Sequence, residues 1–165
     1  MAEIIIEGIV TPDLTATDTS PRITVGTQVN TSDGGEAVYV IALSAIAQYD
    51  AVAILNSSSA TGATMCAAPL TTTNATGTTR VGVAQTAIAA ASYGWVHTSG
   101  YNLRVNVLIA CQPVVPLYTT GTGGSLDDTV VSAGYVSGIV AKTSAASASA
   151  VQCVVGYGMV ETISV

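Results

Sequence analysis

From Ala51 to Leu126 the chain carries only two formal charges, Arg80 and Arg104. A solitary domain usually coats itself with about a quarter to a third charged residues. A segment this neutral must therefore fold almost wholly inward, be covered by something else, or rely on Thr and Ser hydroxyls for solubility. Disorder is excluded, because it combines low hydrophobicity with high charge, whereas 49% of the residues are apolar and 8% charged. The β-branched residues that dominate need pleated, packed surfaces. At 165 residues the chain fits one domain, or two small lobes at most, and can bury most of what it exposes when unfolded. It is expected to be a folded, β-rich protein with a small-residue, neutral surface, part of it covered by another subunit or protein.

The charge that exists is displaced. Glu3, Glu7, Asp13, Asp18, Asp33, Glu36 and Asp50 all fall in the first fifty residues. The net charge is −6, and Arg22, Arg80, Arg104 and Lys142 are far apart in sequence. Nucleic-acid binders need clustered Lys and Arg to displace counterions, so no nucleic-acid partner is expected. Apolar runs such as Val105–Cys111 are interrupted by Asn106, Gln112 and Pro113, well short of the ~20 residues of a membrane span. No membrane partner is expected either. The N-terminus lacks a basic segment and a signal-peptide core, which points to synthesis and retention in a cytoplasm unless lysis or an unusual exporter releases the protein.

Cys66, Cys111 and Cys153 are odd in number, widely spaced and set among small or apolar neighbours. None has metal-ligand spacing to another. They are expected as small core residues in a reducing compartment, with a disulfide between two of them as the alternative.

Turn signals divide the chain into about ten short strands. Residues 1–22 read as an extended N-terminal arm: apolar Glu3–Val10, then an acidic, Thr-rich stretch bracketed by Pro12 and Pro21. Residues 23–165 form the β-rich body. Ile23–Val29 and Ala37–Leu43 make a hairpin around Asp33-Gly34-Gly35-Glu36. Ala45–Gln48 is a candidate helical turn, Ala51–Leu55 a strand and Ala63–Leu70 a short strand. Asn56–Gly62 and Thr71–Thr79 are polar surface loops. Arg80–Ala84 is a strand, and Gln85–Ser92 an alanine-rich helix or docked turn. A second hairpin joins Tyr93–Val96 to Leu103–Ile109 across His97-Thr98-Ser99-Gly100. Val114–Thr119, Thr129–Ser132, Tyr135–Thr143, Val151–Val155 and Met159–Val165 complete the strands. The expected fold is all-β, a compact β-barrel or β-sandwich.

No residue set points to a catalytic centre, a metal site or a cofactor. His97 is the sole general-base candidate near neutral pH, but it falls at a predicted hairpin tip, its neighbours Thr98 and Ser99 alternate in facing, and no nucleophile elbow occurs; a surface turn histidine is expected. Asp127-Asp128 can bind a hard cation only if further oxygens converge, and are read as turn carboxylates, as are Asp33 and Glu36. Gly121-Thr122-Gly123-Gly124 lacks the Gly-Lys-Ser/Thr and helix of a phosphate cradle. Trp95 and the tyrosines could stack on sugar faces, but Trp95 with Tyr93 is read as a core or subunit-interface anchor.

Val81-Gly82-Val83-Ala84, Tyr93-Gly94-Trp95-Val96, the Gly121–Asp128 loop and Gly138-Ile139-Val140 follow one another in an order that resembles the capsid decoration (cement) proteins of tailed bacteriophages, over Ala37 to Val160. The resemblance implies a non-enzymatic structural virion protein on the capsid surface, assembled in the host cytoplasm. It would bind the major capsid protein, stabilise the head by clamping neighbouring capsomers, and associate as a homotrimer. Interface candidates are Ile4, Ile5 and Ile6 of the arm with Tyr93 and Trp95. The alternative is a carbohydrate- or receptor-binding module of a head fibre or tail.

Overall fold

A computed structural model describes residues 12–56, 65–77, 79–130 and 134–161. It is all-β, with no helix among the described residues. The strands are β1 (Gln28–Asn30), β2 (Glu36–Ala42), β3 (Ala51–Leu55), β4 (Cys66–Pro69), β5 (Arg80–Val83), β6 (Tyr93–Val107), β7 (Leu117–Thr119), β8 (Leu126–Asp127), β9 (Tyr135–Ala141) and β10 (Ser149–Glu161).

Their pairings close two rings that share one long strand. The first runs β2–β4–β3–β5–β6 and back to β2. The second runs β6–β10–β9–β7–β8 and back to β6. β5, β6 and β10 also pair with one another, making a three-strand junction between the rings. Closure leaves few unpaired edges: among the described residues only β1 is paired on one side alone.

Period-2 alternation explains how the rings pack. Val38, Val40, Val52, Ile54 and Val96 point into the first ring, with Ile46 and Ile88 closing it. Ala51, Ala53, Val81 and Val83 are the opposite faces of β3 and β5, and they join Leu103, Val105, Val107, Leu117, Leu126, Val151, Cys153 and Val155 in the larger core of the second ring. β3 and β5 are thus a shared wall, apolar on both faces. This is why they read as unbroken apolar runs.

One expected hairpin and one expected pair of separate strands are instead single bent strands. His97–Gly100 is not a tip, because β6 continues through it for fifteen residues. Its first half pairs with β2 and its second half with β10. Gly100 supplies the bend at φ 151°, a backbone state open to glycine. Likewise Val151–Val155 and Met159–Glu161 belong to one strand, β10, irregular around Gly156-Tyr157-Gly158. The two bends face each other, with Val155 opposite Gly100 and Gly156 opposite Ser99. Gly138 of β9 (φ 75°) closes in on the same point, where a Cβ would lie 2.6 Å from the Gly156 carbonyl oxygen.

Ala45–Gln48 and Gln85–Ser92 form no helix. Each is a docked turn, and Ile46 and Ile88 exchange backbone hydrogen bonds across the mouth of the first ring. Two buried isoleucines outweigh a two-turn helix propensity that is marginal in water. Ile23–Val29 contributes only Gln28 and Val29 to β1, since Thr24–Thr27 is a turn with Gly26 at φ 92°. Thr129–Ser132 and the loop Asn56–Gly62 fall partly outside the described residues, and Ile4–Ile6 wholly so.

Candidate functional site

The outer face of β2 and the first half of β6 carries Tyr39, Tyr93 and Trp95. These fall at alternate strand positions that the ring closure turns away from the first core. Tyr39 and Trp95 meet at 5.2 Å between ring centroids, tilted 57°, and Tyr39 stacks on Tyr93 at 6.1 Å. Leu14, Val25 and Val29 pack over them, leaving Tyr39 1% and Trp95 4% exposed. The chain's own N-terminal segment therefore covers the aromatic cluster. A sugar platform needs an open ring face, and Trp95 offers none.

Asp18 fixes that cover. Its backbone exchanges hydrogen bonds with Tyr93, 2.9 and 2.7 Å long. Its carboxylate accepts the Tyr39 hydroxyl at 2.8 Å and pairs with Arg22. Burial first, then the neighbouring Asp18 carboxylate, pushes the Tyr39 hydroxyl up to about 12. Asp13 shapes the preceding turn by accepting from the Thr15 amide and hydroxyl; these bonds hold its carboxyl below the usual range. Residues 12–22 of the expected arm are thus laid along the body.

His97 lies elsewhere than expected. It is 9% exposed, at the junction, opposite Ala37 of β2 and Val83 of β5. Its Nδ1 is buried without a hydrogen-bond partner. Burial lowers its pKa, and the Asp33 charge opposes that only in part, so the ring is neutral at pH 7. Around it Asp33 is held low by the Thr31 hydroxyl. The Tyr157 hydroxyl is raised by its hydrogen bond to Glu36, and the Thr98 hydroxyl donates to the Glu36 carbonyl at 3.4 Å.

The glycine loop 121–124 is an internal staple. Thr120 Oγ1 accepts the Thr122 amide and donates to the Ser125 carbonyl. Gly124 donates to the Leu70 carbonyl and packs directly on the Asp50 carboxyl. Asp50 in turn accepts the Ala47 amide at 2.8 Å and the Asn106 side chain at 3.0 Å, while burial holds its pKa above normal. Loop amides already engaged in this way are not aimed at a phosphate.

Asp127 and Asp128 serve turns, as their sequence context implies. Asp128 accepts the Gln112 amide at 2.9 Å, and Asp127 accepts the Asp128 amide at 3.0 Å. The fold also brings Cys111 to them, the three ligand atoms lying within 4.8 Å of one another. Burial and the two carboxylates push the Cys111 thiol up to about 11, and burial pushes Cys153 up to about 12. At neutral pH the Cys111 thiol therefore keeps its proton. All three cysteines are buried, as expected of small core residues, with the Cys66 sulfur 3.5 Å from the Leu55 carbonyl oxygen.

Sequence reasoning did not find Asp18, Asp50 or the approach of Cys111 to Asp127. Each depends on partners far along the chain, and none sits in a motif. Among the described residues no helix is long and apolar enough to cross a membrane. No protein-family model, no curated protein and no solved structure matches the chain.

Proposed function

We propose that the protein is a structural virion component, a decoration protein that binds the assembled phage head as a trimer and clamps neighbouring capsomers. The root of the arm carries this reading. Asp18, Tyr39 and Tyr93 tie residues 12–22 to a body poor in charge, and in sequence the apolar, acidic segment Met1–Thr11 precedes that anchored stretch. A tether of that kind links a compact module to a large lattice, and many modest contacts repeated over a shell add up through avidity. The neutral surface suits coverage by neighbours.

The proposal is non-enzymatic and needs no cofactor. The alternative, a carbohydrate- or receptor-binding module of a fibre or tail, would have to draw its platform from exposed tyrosines such as Tyr101 and Tyr157, since Trp95 is covered by Leu14, Val25 and Val29. The test is truncation before Pro12, which spares the cover of the aromatic cluster. The shortened chain should keep the melting temperature of the full chain but fail to co-sediment with purified, undecorated heads. Unchanged co-sedimentation would overturn the reading.

A further inference from the structure

The outer face of the second ring is the least explained surface of the molecule. Backbone register sets Arg104 of β6 opposite Gln152 of β10, and the Lys142 amide donates to the Gln152 carbonyl at 2.8 Å. Arg104 of β6, Gln152 of β10 and Lys142, the residue after β9, thus form one rung. All three are exposed, because their neighbours Leu103, Val105, Ala141, Val151 and Cys153 point inward. Beside the rung Val140 lies opposite Val154, with Val140 at 40% exposure. Half of the chain's basic residues stand on this rung, yet the one ion pair among the described residues is Arg22–Asp18. Arg104 lies over the Tyr49 ring and donates to the Ala150 carbonyl, which fixes its position without neutralising it.

We propose that this face receives the acidic N-terminal arm of a second copy of the same chain. The proposal rests on the reading of residues 1–11 as a tether and names what the tether holds. The complementarity is one of sign, spacing and polarity. Glu3 and Glu7 flank Ile4-Ile5-Ile6, as Arg104 and Lys142 flank Gln152 with the two valines alongside. Two strand spacings separate the cations at their backbones by about 10 Å, and four extended residues separate the carboxylates by about 13 Å. Long Arg and Lys stems take up the difference. Glu3 and Glu7 carry no basic residue within the first twenty-one positions of their own chain, so the acids of the arm and the cations of the rung complement one another between copies. A heterologous contact of that kind generates a closed ring when its rotation closes, which fits the proposed trimer.

The experiment is a charge swap read by light-scattering mass on the full chain, without capsid. The parent protein should be an oligomer whose mass falls as salt rises. Arg104→Glu with Lys142→Glu should give a monomer with a near-parental melting curve, and Glu3→Lys with Glu7→Lys should do the same. Carrying all four changes on one chain should restore association. A monomeric parent, or an oligomer indifferent to both swaps, overturns the proposal. So does dissociation by the rung swap alone, since the rung would then meet some other acid. Head co-sedimentation is scored separately. A chain that oligomerises through the rung but ignores heads defeats the virion reading alone, whereas a monomer that still decorates heads defeats this proposal and the trimer but leaves head binding standing.

Discussion

The first half of β6, Tyr93–Ser99, is buried almost throughout, whereas the second half, Gly100–Val107, alternates buried and exposed. One strand thus serves two surfaces. Its first half carries the aromatic face and is sealed by residues of the same chain. Its second half carries Arg104 toward Gln152 and Lys142 and is left bare. The comparison teaches that Tyr39 and Trp95, large aromatics of the kind first suspected at an interface, are satisfied within the subunit. What the second half offers a partner is a sparse surface of single charges, amides, valines and the exposed Tyr101 ring. Interfaces of that character draw on charge placement for register and on repetition for strength.

The difference between the two faces predicts a hierarchy of effects. Trp95→Ala should destabilise most, by about 3–5 kcal/mol as for other buried aromatic truncations. Gln152→Ala on the bare face should stay within about 0.5 kcal/mol. Urea titrations of both variants measure the contrast, and equal midpoints would erase the distinction between the faces.

At the junction, Gly138→Ala places a methyl group against the Gly156 carbonyl at a positive φ. It should cost about 1–3 kcal/mol. Amide exchange should show the loss spreading into both rings, because β6 and β10 bend there together; protection lost in the second ring alone would argue that the rings are independent.

Removing the arm clasp with Asp18→Ala deletes the bonds from Tyr39 and Arg22, a loss of about 1–2 kcal/mol. The Tyr39 hydroxyl should then titrate below about 12, though still above an ordinary tyrosine because burial persists. Absorbance titration reads this directly, and an unmoved Tyr39 would mean that the clasp contributes nothing electrostatic.

The smallest effect is acid sensitivity. Folding lowers the His97 pKa, so the unfolded chain takes up the proton first. Stability from this group is intact above about pH 6.5, falls as pH drops below that value, and levels off beneath the folded pKa; the slope is at most about 1.4 kcal/mol per pH unit. His97→Leu should flatten the curve just below pH 6.5. If the parent and the variant decline in parallel there, His97 does not bear on the junction's pH response.

Much of the fold was legible where pattern and partner agree. Ala51–Leu55 is a strand as its apolar run implies, Arg80–Val83 likewise, and Asp33–Glu36 does join β1 to β2. Reading failed at glycine clusters. His97–Gly100 and Gly156–Gly158 carry turn composition, but each is held extended by neighbours more than forty residues away. Local propensity has no access to such contacts, and the same holds for Gln85–Ser92, where Ile88 follows Ile46 rather than the alanines around it. Of the interface candidates, Tyr93 and Trp95 pack against Tyr39 within the chain, and Ile4–Ile6 lie outside the described residues.

The sequence alone determined the all-β class, the neutrality of the body and the crowding of acids toward the N-terminus, because these depend only on which residues are present and in what order. Tertiary structure alone decided that the chain closes into two rings on a shared strand, that Trp95 faces its own arm, and that Arg104 and Lys142 stand on one rung. Those outcomes depend on register. A one-residue slip exchanges the faces of a strand, and only the packing of both cores at once selects which side chains turn outward.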